Sequence, residues 1–302
     1  MSPNNLPQFL RKNIYYASYY ITTRFGRRRP LLAGIKLSHD CNLRCDHCPF
    51  WKKKGPRLSF QQAVSAMRKL YKMGVRLVIF EGGEPFLWKD GGHTISDIVA
   101  EAKKFFFSTG ITTNGTFPIA ADADLIWVSI DGLRNTHNRL RCGSFDTLIE
   151  NIQNSSHPKI FAHITINSEN FKEISDVIKF LSSYVRGITI QFHYPYREGE
   201  ADMSLSQQER QEVLDTLIRL KKKGFLVSNS FACLNALREN RWKCHAWMIA
   251  SVDPDGTITN GCYIQNRGVI SCEKCGFSAH TEISLAYSGV IESIRLKNKI
   301  FG

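Results

Sequence analysis

No stretch of about 18 uninterrupted apolar residues occurs in this chain, so no helix is expected to cross a bilayer. The amino terminus also lacks a compact apolar segment with a small-residue cleavage site, and a cytoplasmic protein without a signal peptide is the expectation. Carboxylates are scarce: 27 Asp and Glu stand against 40 Lys and Arg, a formal charge of +13. The dense runs Lys52–Lys54, Arg27–Arg29 and Lys221–Lys223 read first as solvated faces. A basic surface also suits an acidic electron donor, an anionic membrane or an RNA. No recognisable nucleic-acid module accompanies the charge, so nucleic acid is not the expected partner. The 302 residues, 43% apolar, suffice for one large domain and a small one.

Cysteine is what the chain does have. In a cytosolic protein, nine cysteines clustered at ligand spacings point to metal rather than to disulfides. Cys41, Cys45 and Cys48 lie in the run Cys-Asn-Leu-Arg-Cys-Asp-His-Cys. Gaps of three and two residues bring three thiolates onto one small loop, where they can hold three corners of a cubic iron–sulfur cluster and leave the fourth iron open. An open iron can bind and reduce a ligand, which suggests chemistry. The alternative is zinc, with His47 or His39 as the fourth ligand.

Apolar, β-branched runs end repeatedly at polar loops: 31–37 before the cysteines, 75–80 before Gly82, 125–130 before Asp131, 160–166 before Asn167 and 188–192 before His193. Helical patterns intervene, among them 60–73 with Val64, Met67, Leu70 and Tyr71 on one face, and 171–181 with Ile174, Val177 and Ile178. This alternation predicts an α/β fold of parallel units with functional groups at the carboxyl ends of the strands. Only about ten residues separate Asn114 from the fourth strand, short for a crossover, so the helix there is expected to shrink to a turn.

The cysteine run resembles the motif of the radical S-adenosylmethionine (SAM) superfamily, Cys-x3-Cys-x2-Cys with an aromatic ring, here His47, before the last cysteine. Gly82-Gly83-Glu84-Pro85 resembles that family's Gly-Gly-Glu-Pro segment beside the cofactor's amino group. Thr113-Asn114-Gly115, Ser129-Ile130-Asp131-Gly132 and the stretch around Arg141 resemble further cofactor-lining segments. The resemblance covers residues 36 to 146 and implies an open β/α barrel of six units. It also implies a [4Fe–4S] cluster on Cys41, Cys45 and Cys48, whose open iron is chelated by SAM. Cofactor contacts would come from Gly82, Gly83, Glu84, Pro85, Asn114, Ser129, Asp131 and Arg141. Asn167 and Gln191, at late strand ends, could contact cofactor or substrate. Cys142 follows Arg141 where the family usually has glycine; its thiol could deliver a hydrogen atom, or it is a small buried hydrophobe.

Residues 206–223 read as an amphipathic helix ended by Gly224, after which the remaining cysteines accumulate. Residues 250–263 read as a β-hairpin about Pro254-Asp255-Gly256. Cys244, Cys262, Cys272 and Cys275 around it supply four thiolates, a closed set suited to electron transfer or to stapling a small domain. This segment resembles the auxiliary-cluster extension called SPASM or its shorter relative called twitch. Since no cysteine follows Cys275, one auxiliary [4Fe–4S] cluster is implied, with a zinc ribbon as the alternative. Cys233 could compete with Cys244 as a ligand, although its apolar neighbours favour packing.

The expected organisation is an amino-terminal basic amphipathic helix (1–30), a partial barrel (31–227) and a cysteine-rich domain (228–302). Leu6, Leu10, Ile14, Ala17, Ile21 and Phe25 form one apolar stripe. Such a stripe usually faces a core; a helix of this composition can also lie in a membrane interface through residues 6–25. An outside reductant, a ferredoxin or flavodoxin, is implied. The substrate is open between peptide, lipid and small metabolite. Competing readings are a radical enzyme acting on RNA and a non-catalytic iron–sulfur or zinc protein binding nucleic acid.

Overall fold

The computed structural model describes residues 8–196 and 202–301. Six parallel strands carry the barrel: β1 (Leu32–Lys36), β2 (Leu77–Glu81), β5 (Ser108–Thr113), β6 (Leu125–Ser129), β7 (Ile160–Ile166) and β8 (Gly187–Phe192). A two-residue hairpin, β3 (Lys89–Asp90) and β4 (His93–Thr94), leads into α3 (Ile95–Ala102). The crossovers are α2 (Phe60–Met73), α4 (Arg134–Leu140) with α5 (Phe145–Gln153), and α6 (Ile174–Leu181). Between β5 and β6 no helix forms; residues 114–124 are loop and turn, as the short link requires.

Local chemistry sets the helix ends. Ser59 Oγ accepts from the Gln62 N–H while Gln62 Oε1 accepts from the Ser59 N–H, a capping box opening α2. Gly74, at φ 110°, closes it in the left-handed conformation that only glycine adopts freely. Tyr71, expected on the buried face of α2, is exposed and lies instead under the Arg76 guanidinium, 3.9 Å from the ring centroid.

The period of two divides each strand between an outer and an inner face. Ile35, Phe80, Ile111, Val128, Ile164 and Ile190 face the helices and form the main core. Leu77, Ile79, Trp127, His163, Thr189 and Gln191 face inward onto a cavity of about 390 Å³. Lower inward positions are apolar and upper ones polar, because the polar residues sit at the carboxyl ends.

Beyond β8, α7 (Gln207–Lys222) and α8 (Phe231–Glu239) precede a hairpin of β9 (Ile249–Val252) and β10 (Ile258–Asn260). The Gly256 N–H donates to Asp253 O at 2.9 Å with Gly256 at φ 83°, the turn that Pro-Asp-Gly encodes. The hairpin does not stand apart: β9 pairs in parallel with β1, so one sheet runs β10-β9-β1-β2-β5-β6-β7-β8. α9 (Ser278–Tyr287) and α10 (Ile291–Phe301) then cover the open side of the barrel and line the cavity.

The first helix, α1 (Gln8–Phe25), reverses one expectation. Leu6 lies outside the described residues, but Leu10, Ile14, Ala17, Ile21 and Phe25 are exposed. The tyrosine side packs instead. Tyr19 is 2% exposed, its hydroxyl donating to Arg29 O at 2.6 Å, and the Tyr15 hydroxyl donates to Gly74 O at 2.5 Å. Tyrosine wins this face because it buries a ring and also satisfies the Arg29 and Gly74 carbonyls, which isoleucine cannot do.

Candidate active site in the barrel mouth

The cysteine loop follows β1 and is seated on the segment after β2. The Gly83 N–H donates to Ser38 O at 2.9 Å and the Glu84 N–H to Asp40 O at 2.8 Å. A Cβ on Gly83 would lie 1.9 Å from Asp40 O, and one on Gly82 would lie 2.5 Å from Ser38 O. Both glycines are therefore required by close backbone approach, and Gly82 additionally by φ 142°.

Donors converge on the loop's sulfurs. The Leu43 N–H lies 3.4 Å and Asn114 Nδ2 3.8 Å from Cys41 Sγ, and Arg141 Nη1 lies 4.0 Å from Cys45 Sγ. Burial pushes the Cys45 thiol up to about 12, with Arg141 opposing and Cys48, Asp131 and Cys41 adding to the rise. Burial likewise raises Cys41, and Cys48 adds to it. The three cysteines share one short loop, the Cys48 N–H donating to Cys45 O at 3.2 Å, without a closed single-ion geometry, which no three His, Cys, Asp or Glu side chains form among the described residues. Three mutually repelling thiolates need a cation to persist, and N–H donors aimed at the sulfurs suit an anionic cluster. The residues present therefore fit an iron–sulfur cluster.

Behind the loop lies a buried charge network. Asp131, fully buried, accepts from Arg141 Nε at 2.5 Å and from the Thr165 N–H at 2.9 Å, with His47 Nε2 at 3.4 Å. Burial alone would raise its carboxyl; Arg141, then His47 and the Thr165 N–H, outweigh it and hold it at about 2. His47 falls to about 4 through burial and is neutral at pH 7. Arg141 thus has its Nε on Asp131, while Nη1 faces Cys45 and Nη2 lies 3.4 Å from His47 Nε2. His137, at about 3 through burial, is neutral as well. Its Nδ1 accepts from the Asp131 N–H, so Nε2 carries the proton and donates to Ser144 Oγ, which donates to Arg141 O.

The other anticipated residues divide. Pro85 is buried at the start of a short 3-10 turn. Glu84, 1% exposed, turns its carboxylate inward, accepting from Thr113 Oγ1, the Asn114 N–H and the Phe86 N–H, so it ties the ends of β2 and β5 together. Ser129 and Gln191 line the cavity. Asn167 is fully buried and its Oδ1 accepts from the Glu169 N–H, closing a turn. Cys142 is not a buried hydrophobe: it is exposed, at φ 55°, with its sulfur accepting from the Arg44 N–H of the cysteine loop.

Cys244, Cys262, Cys272 and Cys275 also form one set. Cys244 precedes β9, Cys262 follows β10, and the Cys275 N–H donates to Cys272 O across a turn. Burial, with Cys275, Cys262 and Cys272 adding to it, raises the Cys244 thiol to about 11. Cys233 is elsewhere, fully buried in the main core with its sulfur 4.0 Å from Ser278 O.

Comparison with known proteins decides the family. The profile of the radical SAM superfamily matches residues 35–181, and a domain of unknown function, DUF3463, matches 188–284. Residues 35–181 therefore form a radical SAM domain. Among curated relatives, Fe-coproporphyrin III synthase of Methanosarcina barkeri is 26% identical over 67% of this chain and 55% of that protein. The sporulation killing factor maturation protein SkfB of Bacillus subtilis is 30% identical over 50% and 39%. The mycofactocin maturase MftC of Mycolicibacterium smegmatis is 26% identical over 70% and 57%. The matched regions span between about two fifths and three fifths of those proteins. Streptococcus suis SuiB, solved with S-adenosylmethionine, superposes with a TM-score of 0.65 at 14% identity, over 91% of this chain and 67% of its own. That likeness is one of fold. Radical SAM proteins use a [4Fe–4S] cluster with SAM, and the cysteine loop matches that use.

For a radical SAM protein the barrel mouth holds further residues that pattern reading passed over. Lys36, 1% exposed, meets Glu81 Oε1 at 2.6 Å and lies 4.3 Å from the Tyr263 ring centroid. Burial lowers the Lys36 ammonium and Glu81 opposes the shift. The available signal was a charged residue at an inward position of β1, immediately before the cysteine loop. His163 and His280 line the cavity and are both held near 4 by burial, so both are neutral at pH 7.

Proposed function

We propose that this protein is a radical SAM enzyme acting on a substrate held in the barrel cavity, with one auxiliary [4Fe–4S] cluster on Cys244, Cys262, Cys272 and Cys275. The carrying observation is the Gly82–Gly83 seat, which fixes three coupled thiols at the carboxyl ends of the strands that line the cavity. Cys41, Cys45 and Cys48 would hold a [4Fe–4S] cluster with one open iron, which would supply the electron for reductive cleavage of SAM and so the radical chemistry that takes hydrogen from, or adds to, the substrate.

The chain's residues do the rest. Asn114, the Leu43 N–H and Arg141 offset negative charge on the sulfurs, and Asp131 holds Arg141 in place. Apolar walls from Ile79, Trp127, Leu296 and Ile300 exclude water below the mouth, which protects a reactive species from side reactions. An acidic reductant of the ferredoxin or flavodoxin class docks on the basic surface. Two relatives are named for maturation, and SuiB was also solved with its precursor peptide. A peptide is therefore the first substrate class to test.

The test is anaerobic incubation of reduced, cluster-loaded protein with SAM and fractionated cell extract. Formation of 5′-deoxyadenosine and a mass change in one fraction support the reading. Absence of deoxyadenosine from fully loaded, reduced protein overturns it.

A further inference from the structure

We infer that the outward face of α1 is a docking surface for an anionic lipid membrane. The helix packs through Tyr15, Tyr16 and Tyr19, which leaves Leu10, Ile14, Ile21 and Phe25 unpartnered at 44%, 57%, 58% and 87% exposure. These residues recur at the spacing of one helical face. A row of large apolar side chains on a long helix is rarely left to water without an occupant.

Charge selects that occupant. No acidic residue precedes Asp40, while Arg11, Arg24, Arg27 and Arg28 are all exposed around the apolar row. A second copy of the chain would bring the same arginines against themselves across a two-fold interface, which is repulsive. An anionic lipid surface satisfies both features: apolar side chains enter the acyl boundary and arginines meet headgroups. No described helix is long and apolar enough to cross a membrane, so the contact is peripheral.

The position has a consequence for the cavity. Lys297, whose ammonium lies 3.5 Å from the Tyr16 ring centroid, and Leu31, which packs with Tyr19, both line it. A bilayer against α1 therefore lies next to the apolar end of the cavity.

The test is flotation of the cluster-loaded full chain with vesicles of phosphatidylcholine, with and without phosphatidylglycerol, at low and high salt. Binding is expected only with phosphatidylglycerol and should weaken as salt rises. Ile14→Asp with Ile21→Asp should abolish it. Arg24→Gln, Arg27→Gln and Arg28→Gln together should lower the partition coefficient on the order of 100-fold, about fivefold for each charge. Both variants should retain the native iron content and deoxyadenosine rate, since none of these residues touches the cysteine loop. No vesicle binding by the intact chain, equal binding to neutral vesicles, or native binding by both variants overturns the inference. So does a native dimer that Ile14→Asp with Ile21→Asp dissociates, because the face is then an interface between copies.

Discussion

Removing the Arg141 guanidinium should destabilise the barrel more than its size suggests. Asp131 is fully buried, and Arg141 is the largest influence keeping it charged. A carboxyl at about 2 in the fold, against about 3.9 in the unfolded chain, contributes roughly 2.5 kcal/mol at neutral pH. The sign follows from the depressed value: this stability is complete above about pH 4 and is lost as pH falls through about 2. In Arg141→Met the carboxylate keeps only His47 and the Thr165 N–H against full burial. An uncompensated buried charge of this kind costs about 3–5 kcal/mol. Arg141→Met with Asp131→Asn should recover most of that loss, because it removes the charge together with its partner. Urea denaturation at pH 7 of the two singles, the double and the native protein completes the cycle. If Arg141→Met costs less than about 1 kcal/mol, or if the double variant is no more stable than it, Asp131 is not held by Arg141 as described. The double variant has a second use: restored stability without restored deoxyadenosine formation marks Arg141 as acting on cluster or cofactor directly.

Anaerobically loaded protein should carry about eight irons, and alanine at Cys41, Cys45 and Cys48 together should leave about four; stoichiometric zinc with four irons would replace the auxiliary cluster by a ribbon. Gly83→Ala places a Cβ 1.9 Å from Asp40 O, so it should unseat the cysteine loop and lose the iron bound there while the other four remain; full iron content in that variant contradicts the seat. Glu84→Ala strips bonds from Thr113, Asn114 and Phe86 and should lower stability by about 2–4 kcal/mol in denaturant melts; a change below about 0.5 kcal/mol means that the carboxylate does not tie the strands. Cys142→Ala should leave iron content and deoxyadenosine yield unchanged, since its sulfur touches only the Arg44 N–H among the hydrogen bonds described; loss of product with intact deoxyadenosine formation would assign it the role of hydrogen donor.

The sequence alone determined what rests on local spacing. Two and three residues between thiols bring Cys41, Cys45 and Cys48 together whatever surrounds them, and apolar runs alternating with helical patterns specify parallel strands. Ser59 with Gln62, and Pro254-Asp255-Gly256, carry their cap and turn in a few residues, and the eleven residues between β5 and β6 are too few for a helical crossover. Only the tertiary structure decided what depends on distant partners. Lys36 meets Glu81 across 45 positions, and β9 joins β1 across more than 200, pairings with no local signature. Asp131 and Arg141 were both legible as site residues, but that they bind one another was not, since a motif names residue types and not their partners. The buried side of α1 belongs here too: the helix carries an aliphatic face and a tyrosine face, periodicity detects both, and only the position of the Arg29 and Gly74 carbonyls selects the one that is buried.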